Sequence, residues 1–314
     1  MGTTHDSCHG RSRESGFSCL ALLTGMLAGC GDGGGSSAGS PGPATCGGGD
    51  APATPCVDVA ATVPLCTSSP ASPLVTDLSG TWILHTTGAQ TVTAPTYANP
   101  FHLKSINVMW VQVVQSGTDV ALTGTYCDRI QNDDPSNPAR VIVTEAWRGT
   151  PSPFQRNGTF APDASGQLIL TLPTLIEVAG AVLADPVCEA LPTDPNDPRV
   201  RDTDRNGYPG ISVGLEGLIT GTLRSVQRQA TALRGVAIAA DLVVGGMAYE
   251  SDQSVLASDP PSIKCLYALS VTSADPAVCS SSFAMVRVPD AVAARGVEVD
   301  CYWVRAQEAQ LLGL

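Results

Sequence analysis

The chain has 314 residues, of which 43% are hydrophobic and 15% charged, and its formal net charge is −12. That acidity excludes nucleic acid as a partner, because binding a phosphate backbone needs an excess of Lys and Arg, and no basic cluster suits anionic lipid headgroups. The 32 Gly and 24 Pro favour many turns over long helices.

At the start, Arg11 and Arg13 precede an apolar run from Phe17 to Gly29. A run that short behind a basic flank reads as an export signal, since a membrane span needs about 20 apolar residues. It ends in Leu27-Ala28-Gly29-Cys30, which resembles the lipobox of bacterial lipoproteins. The resemblance implies that residues 1–29 are a removable signal peptide and that Cys30 is acylated on its sulfur and amine. Several acyl chains at about 0.8 kcal/mol per buried CH₂ hold a protein stably to a membrane. In that family an Asp directly after the cysteine marks inner-membrane retention. Here Gly31 precedes Asp32, which points to the outer membrane of a cell envelope.

Residues 30–73 are rich in Gly, Ser, Pro, Ala and Thr. Such a composition buries too little apolar surface to offset the entropy of ordering, so the segment is predicted to be a disordered, lipidated tether. As a flexible coil it would span roughly 35–40 Å. After Cys30 come eight further cysteines, Cys46, Cys56, Cys66, Cys127, Cys188, Cys265, Cys279 and Cys301. An even count in an exported chain predicts a disulfide framework whose pairing the spacing leaves open. With no C-x-x-C and only His85 and His102 beyond the signal, a structural zinc site is not expected.

From residue 74 to 314 the pattern is all-β. Leu78–His85 opens it, and Leu103–Gln115 and Val120–Ile130 flank a turn at Ser116-Gly117-Thr118-Asp119, the signature of a hairpin. Further strands are predicted at Arg140–Trp147, Gly166–Leu172, Ile211–Glu216, Leu218–Arg228, Gly235–Val244, Ser282–Val288 and Val297–Val304, while Leu175–Ala184 suits either a helix or a strand. Leu-Ser-Gly-Thr at 78–81 returns as Leu-Thr-Gly-Thr at 122–125 and Ile-Thr-Gly-Thr at 219–222, which reads as a glycine kink reused in a curved sheet. The opening Gly80-x-Trp82 with the hairpin at 114–125 resembles lipocalin-like and avidin-like barrels. That resemblance implies an antiparallel barrel or sandwich whose floor is closed by Trp82 and whose mouth holds a ligand.

Between strands lies an acidic loop in which Asp202, Asp204 and Asn206 precede Gly207. Alternate oxygen side chains in a tight turn suit calcium, which takes six to eight hard oxygens. Position 12 of the loop is Val213 and Pro209-Gly210 blocks an exiting helix, so an EF-hand is excluded; Asp194, Asp197 and Glu216 are the reserve ligands. The competing reading is a solvated turn neutralised by Arg199, Arg201 and Arg205.

No G-x-S-x-G, S-x-x-K, H-E-x-x-H or phosphate-cradling glycine motif occurs, so no enzymatic role is expected. A glycosidase-like carboxylate pair would be visible only in space. The sequence therefore predicts a lipid-anchored envelope protein with a structural or surface-interaction role and a calcium-stiffened loop. The alternative is a lipocalin-like module for a small apolar ligand.

Overall fold

The computed structural model describes residues 63–67, 75–93, 99–131, 137, 139–150, 152–217, 219–268, 270–289 and 299–312. The expected signal peptide, Cys30, Cys46, Cys56 and most of the stretch expected to be a tether lie outside the described residues.

The strands are β1 Gly80–Thr93, β2 Phe101–Ser116, β3 Asp119–Gln131, β4 Ala139–Val143, β5 Ser152–Pro162, β6 Leu168–Ala179, β7 Ile211–Gly217, β8 Gly221–Ala239, β9 Leu242–Asp259, β10 Val271–Ala274 and β11 Ser282–Arg287. Three helices accompany them: α1 Glu145–Arg148, α2 Ser262–Ala268 and α3 Cys301–Leu312. All pairings between strands are antiparallel. The order β8-β6-β5-β3-β2-β1-β11-β9 closes on itself where β9 returns to β8, giving an eight-stranded barrel. A barrel of that size has an interior that side chains just fill or that holds one small ligand.

The wall is built higher at one end. On β1, β11 pairs with Trp82–Thr87 and β10 takes over at Gln90–Thr93. On β8, β6 pairs up to Gln227 and β7 continues from Ser225 to Gly221, with β4 outside it.

At the other end the interior is solid. Trp82, Leu84, Val111, Leu122, Phe160, Leu170, Leu172, Leu233 and Met285 form one buried cluster. Trp82 is fully buried; its indole N–H donates to Leu78 O at 2.8 Å, and the Arg287 guanidinium lies 4.3 Å from its ring centre. The expected position of Trp82 in the core of the first strand is thus observed.

Two disulfides fasten additions to the outer wall. Cys127–Cys301 holds α3, whose Val304 packs with Ile83 and Val108. Residues 63–67, expected as part of a disordered tether, are instead ordered on the wall, because Cys66–Cys279 fastens them there and Val63 packs on Ala230 and Ala232. Close approach there requires Gly246, because a Cβ would sit 2.2 Å from Pro64 O. Cys188 and Cys265 are also disulfide-bonded.

Several expected elements are placed differently. The strand expected at Arg140–Trp147 stops at Val143, where Thr144 caps α1 by accepting from Trp147 N. The run Gly235–Val244 is the end of β8 and the start of β9, with a turn at Ala240-Asp241. Of the strand expected at Val297–Val304, residues 301–304 are helix: Asp300 accepts from Trp303 N at 2.8 Å where α3 begins. Leu175–Ala184 is strand only to Ala179, within β6. Of the repeated glycines, Gly80 and Gly221 begin β1 and β8, and Gly124 lies inside β3.

Candidate ligand cavity

Above the packed floor the barrel is hollow, with a cavity of about 480 Å³. Its closed end starts where Tyr249 crosses the interior opposite Gly88. A Cβ on Gly88 would lie 2.9 Å from the Tyr249 ring, so the glycine makes room for the phenol.

The next level is a belt of polar side chains. Register places Asn107 beside Arg129 and Ser105 beside Gln131. It also places Glu177 beside Gln229, and Gln229 and Gln227 beside Ser251 and Gln253. All of these line the cavity together with Gln90. Ser105 Oγ donates to Gln131 Oε1 at 3.0 Å, while Gln131 Nε2 is buried without a partner. Above the belt the lining is mostly apolar, through Val92 and Phe101 of the tall strands, Val141 and Val143 of β4, Val213 and Leu215 of β7, Ile263 of α2 and Val271 of β10, with Thr203, Tyr267, Ser270 and Thr272 among them.

An ionisable cluster sits in the belt. Tyr126 donates its hydroxyl to Glu177 Oε2. Arg129 is clasped between two rings, 4.6 Å from the centre of Tyr126 and 4.2 Å from that of Trp147, and donates to Thr150 O at 2.9 Å. Arg156 lies just beneath, beside a void of about 10 Å³ that shares Asn107, Tyr126 and Gln229 with the cavity. Its donors go to carbonyls: Nη2 reaches Leu172 O at 3.0 Å, Pro173 O at 2.8 Å and Thr231 O at 2.7 Å.

Burial raises the Glu177 carboxyl above the usual carboxylate range, against the opposing pull of Tyr126, Arg129 and Arg156. Burial and the neighbouring Glu177 push the Tyr126 phenol up, which keeps it a donor. Burial lowers Arg156 to about 10 and also lowers Arg129, yet both remain cations at neutral pH.

The acidic loop touches the cavity lining through Thr203. It does bring Asp202, Asp204 and Asn206 together. Asp202 accepts from Asn206 N at 3.1 Å and Gly207 N at 2.9 Å; Asp204 Oδ2 accepts from Asn206 Nδ2 at 3.0 Å and Ser212 N at 2.9 Å. Asp204 is buried, its Oδ1 has no partner, and burial with the adjacent Asp202 raises its pKa. The reserve ligands are engaged apart from it: Asp197 pairs with Arg199 at 2.7 Å, Asp194 accepts from Asn196, and Glu216 lies 3.9 Å from Arg140. Among the described residues no group of three or more His, Cys, Asp or Glu is placed to hold a metal.

Neither histidine lines the cavity. His85 is half-buried with an unpartnered Nε2, and burial lowers its pKa. His102 is exposed and 2.8 Å from Asp275. Two carboxyls do reach the cavity lining, Glu177 and Asp252, and Asp252 is taken by Arg228 at 2.8 Å.

The belt residues, from Gln90 to Gln253, come from six strands, and sequence reasoning missed them. A faint signal exists in β2 and β8, where Ser105 and Asn107, and Gln227 and Gln229, recur with period two. That pattern reads equally as a solvent face. Comparison of the chain with protein-family models, with curated proteins and with solved structures finds no match.

Proposed function

We propose that the protein is a binding module. The barrel takes one small amphipathic ligand, polar end in the belt and apolar end in the upper vestibule, while lipid on Cys30 holds the module to the cell envelope. The observation that carries this reading is the layered lining: a 480 Å³ cavity with hydrogen-bonding side chains at its deep end and mostly apolar ones above. Ligand pockets of roughly 300–1,000 Å³ that are mostly apolar with a few convergent polar groups are the usual form of small-molecule sites. A purely structural envelope domain gains nothing from such a hollow, because unfilled interior space weakens a fold. The ligand is therefore not the wholly apolar one that the sequence alone suggested.

The test uses a neutral fluorescent probe, N-phenyl-1-naphthylamine. Saturable 1:1 binding is expected for the native chain. Gln229→Trp, which places an indole in the belt, should abolish it while the far-ultraviolet circular dichroism stays that of a barrel. Absence of saturable binding to the native chain, or equal binding by Gln229→Trp, would remove the proposal.

A further inference from the structure

The charges around the belt do not balance. Arg129 and Arg156 are both less than a tenth exposed, and Glu177 is the carboxylate whose charge reaches both of them. Two other acids are already committed: Asp128, whose charge also reaches Arg129, is held by Arg148 through contacts of 2.6 and 2.8 Å, and Asp252 of the cavity lining by Arg228 at 2.8 Å. Among the described residues neither Arg129 nor Arg156 has a carboxylate within ion-pair distance. At least one positive charge is left over beside a hollow, inside a protein whose net charge is −12. A buried cation without a counter-charge is costly, and a cavity at that spot gives a counter-ion somewhere to sit. The belt also holds Gln131 Nε2 as a buried donor with no acceptor.

We infer that the polar end of the ligand is an anion, a carboxylate on a single-chain amphiphile, held by Arg129 with Gln131 and the belt amides. Glu177 and Tyr126 then act as positioning residues. They fix Arg129 by stacking and charge. This inference rests on the binding reading above, and the experiment separates the two.

N-phenyl-1-naphthylamine is bound first and then displaced by decanoate, 1-decanol or decyltrimethylammonium, which share a chain and differ in head charge. Decanoate is expected to displace at about tenfold lower concentration than 1-decanol or better, as suits a hydrogen bond to a charged group, and the cation is expected not to compete. Arg129→Gln should bring the acid and the alcohol together, and Arg129→Lys should keep them apart. If the probe itself does not bind, the binding reading fails. If the probe binds and the alcohol or the cation displaces as well as the acid, the anion assignment is overturned, whatever the variants do.

Discussion

The two halves of this barrel share the same strands and differ in what those strands point inward. On β1, Trp82 and Leu84 meet Val111 and Met109 of β2 and close the floor with carbon. A few residues on, Gln90 faces the cavity, and β2 supplies Ser105 and Asn107 there. The floor is stabilised by burial of apolar surface and by close packing. The upper half keeps only a smaller apolar cluster around Leu215, Leu223 and Ile263 and is braced from outside. There Arg228, fully buried, donates to Pro186 O, Val187 O and Glu189 O and pairs with Asp252, so that the long β6–β7 excursion braces the wall. Stability is concentrated below, and the opening is built where the core is least needed.

That contrast can be broken at several points. Trp82→Ala removes the largest floor side chain and the surface under Arg287, and should cost about 3–5 kcal/mol in urea unfolding. Val213→Ala, at the cavity rim, should cost less than about 1.5 kcal/mol. Equal losses would mean the upper half is packed as tightly as the floor. Arg228→Met leaves Asp252 without its partner and releases the brace; a loss of about 3–5 kcal/mol is expected, with faster proteolysis in 181–210. Replacing Cys127 and Cys301 together by Ser frees α3 and reopens a loop of 174 residues, at about 2–5 kcal/mol.

The smallest effect concerns Asp204. Its folded pKa is raised, so its contribution is fully present below the unfolded value of about 3.9 and is lost as pH rises through the folded value. Asp204→Asn should therefore raise the Tm at pH 7, and the gain should vanish below about pH 4. Millimolar calcium is expected to leave the Tm of the native chain where chelator leaves it, because among the described residues no group of three or more His, Cys, Asp or Glu is placed to hold a metal. A rise that Asp204→Asn abolishes would show an ion held at Oδ1. Superimposable native melting curves with calcium and with chelator would leave a hydrogen-bonded turn and nothing more.

What the sequence disclosed follows from where local rules decide structure. The β2–β3 hairpin was legible because Ser116-Gly117-Thr118-Asp119 supplies a turn between two β-rich runs, and the pairing of Ser116 with Asp119 follows. The β8–β9 turn was not, because Ala240-Asp241 lacks Gly or Pro and the apolar alternation of Val236 to Val244 runs straight through it. The strand β5 was hidden by Pro153, Asn157-Gly158 and Pro162, which read as loop, yet it pairs with β3 from Tyr126↔Ser152 to Asp119↔Thr159. The helix α3 was mistaken for a strand because Val, Tyr and Trp favour strands, whereas the Asp300 cap and the Cys127 bridge decide the outcome. For the site the obstacle is different in kind. Nothing local distinguishes Glu177 or Arg129 from a surface charge, and only barrel closure brings them, 48 positions apart, to one level.

The measurement closest to the central claim is the position of a ligand inside the barrel. Crystals grown with 10-bromodecanoate would show the bromine by its anomalous signal. The account predicts one bromine in the vestibule near Val213, Ile263 and Val271, with the carboxylate density running down to Arg129. A bromine beside Tyr126 and Glu177, or an empty cavity with bromine only on the outer surface, would contradict it.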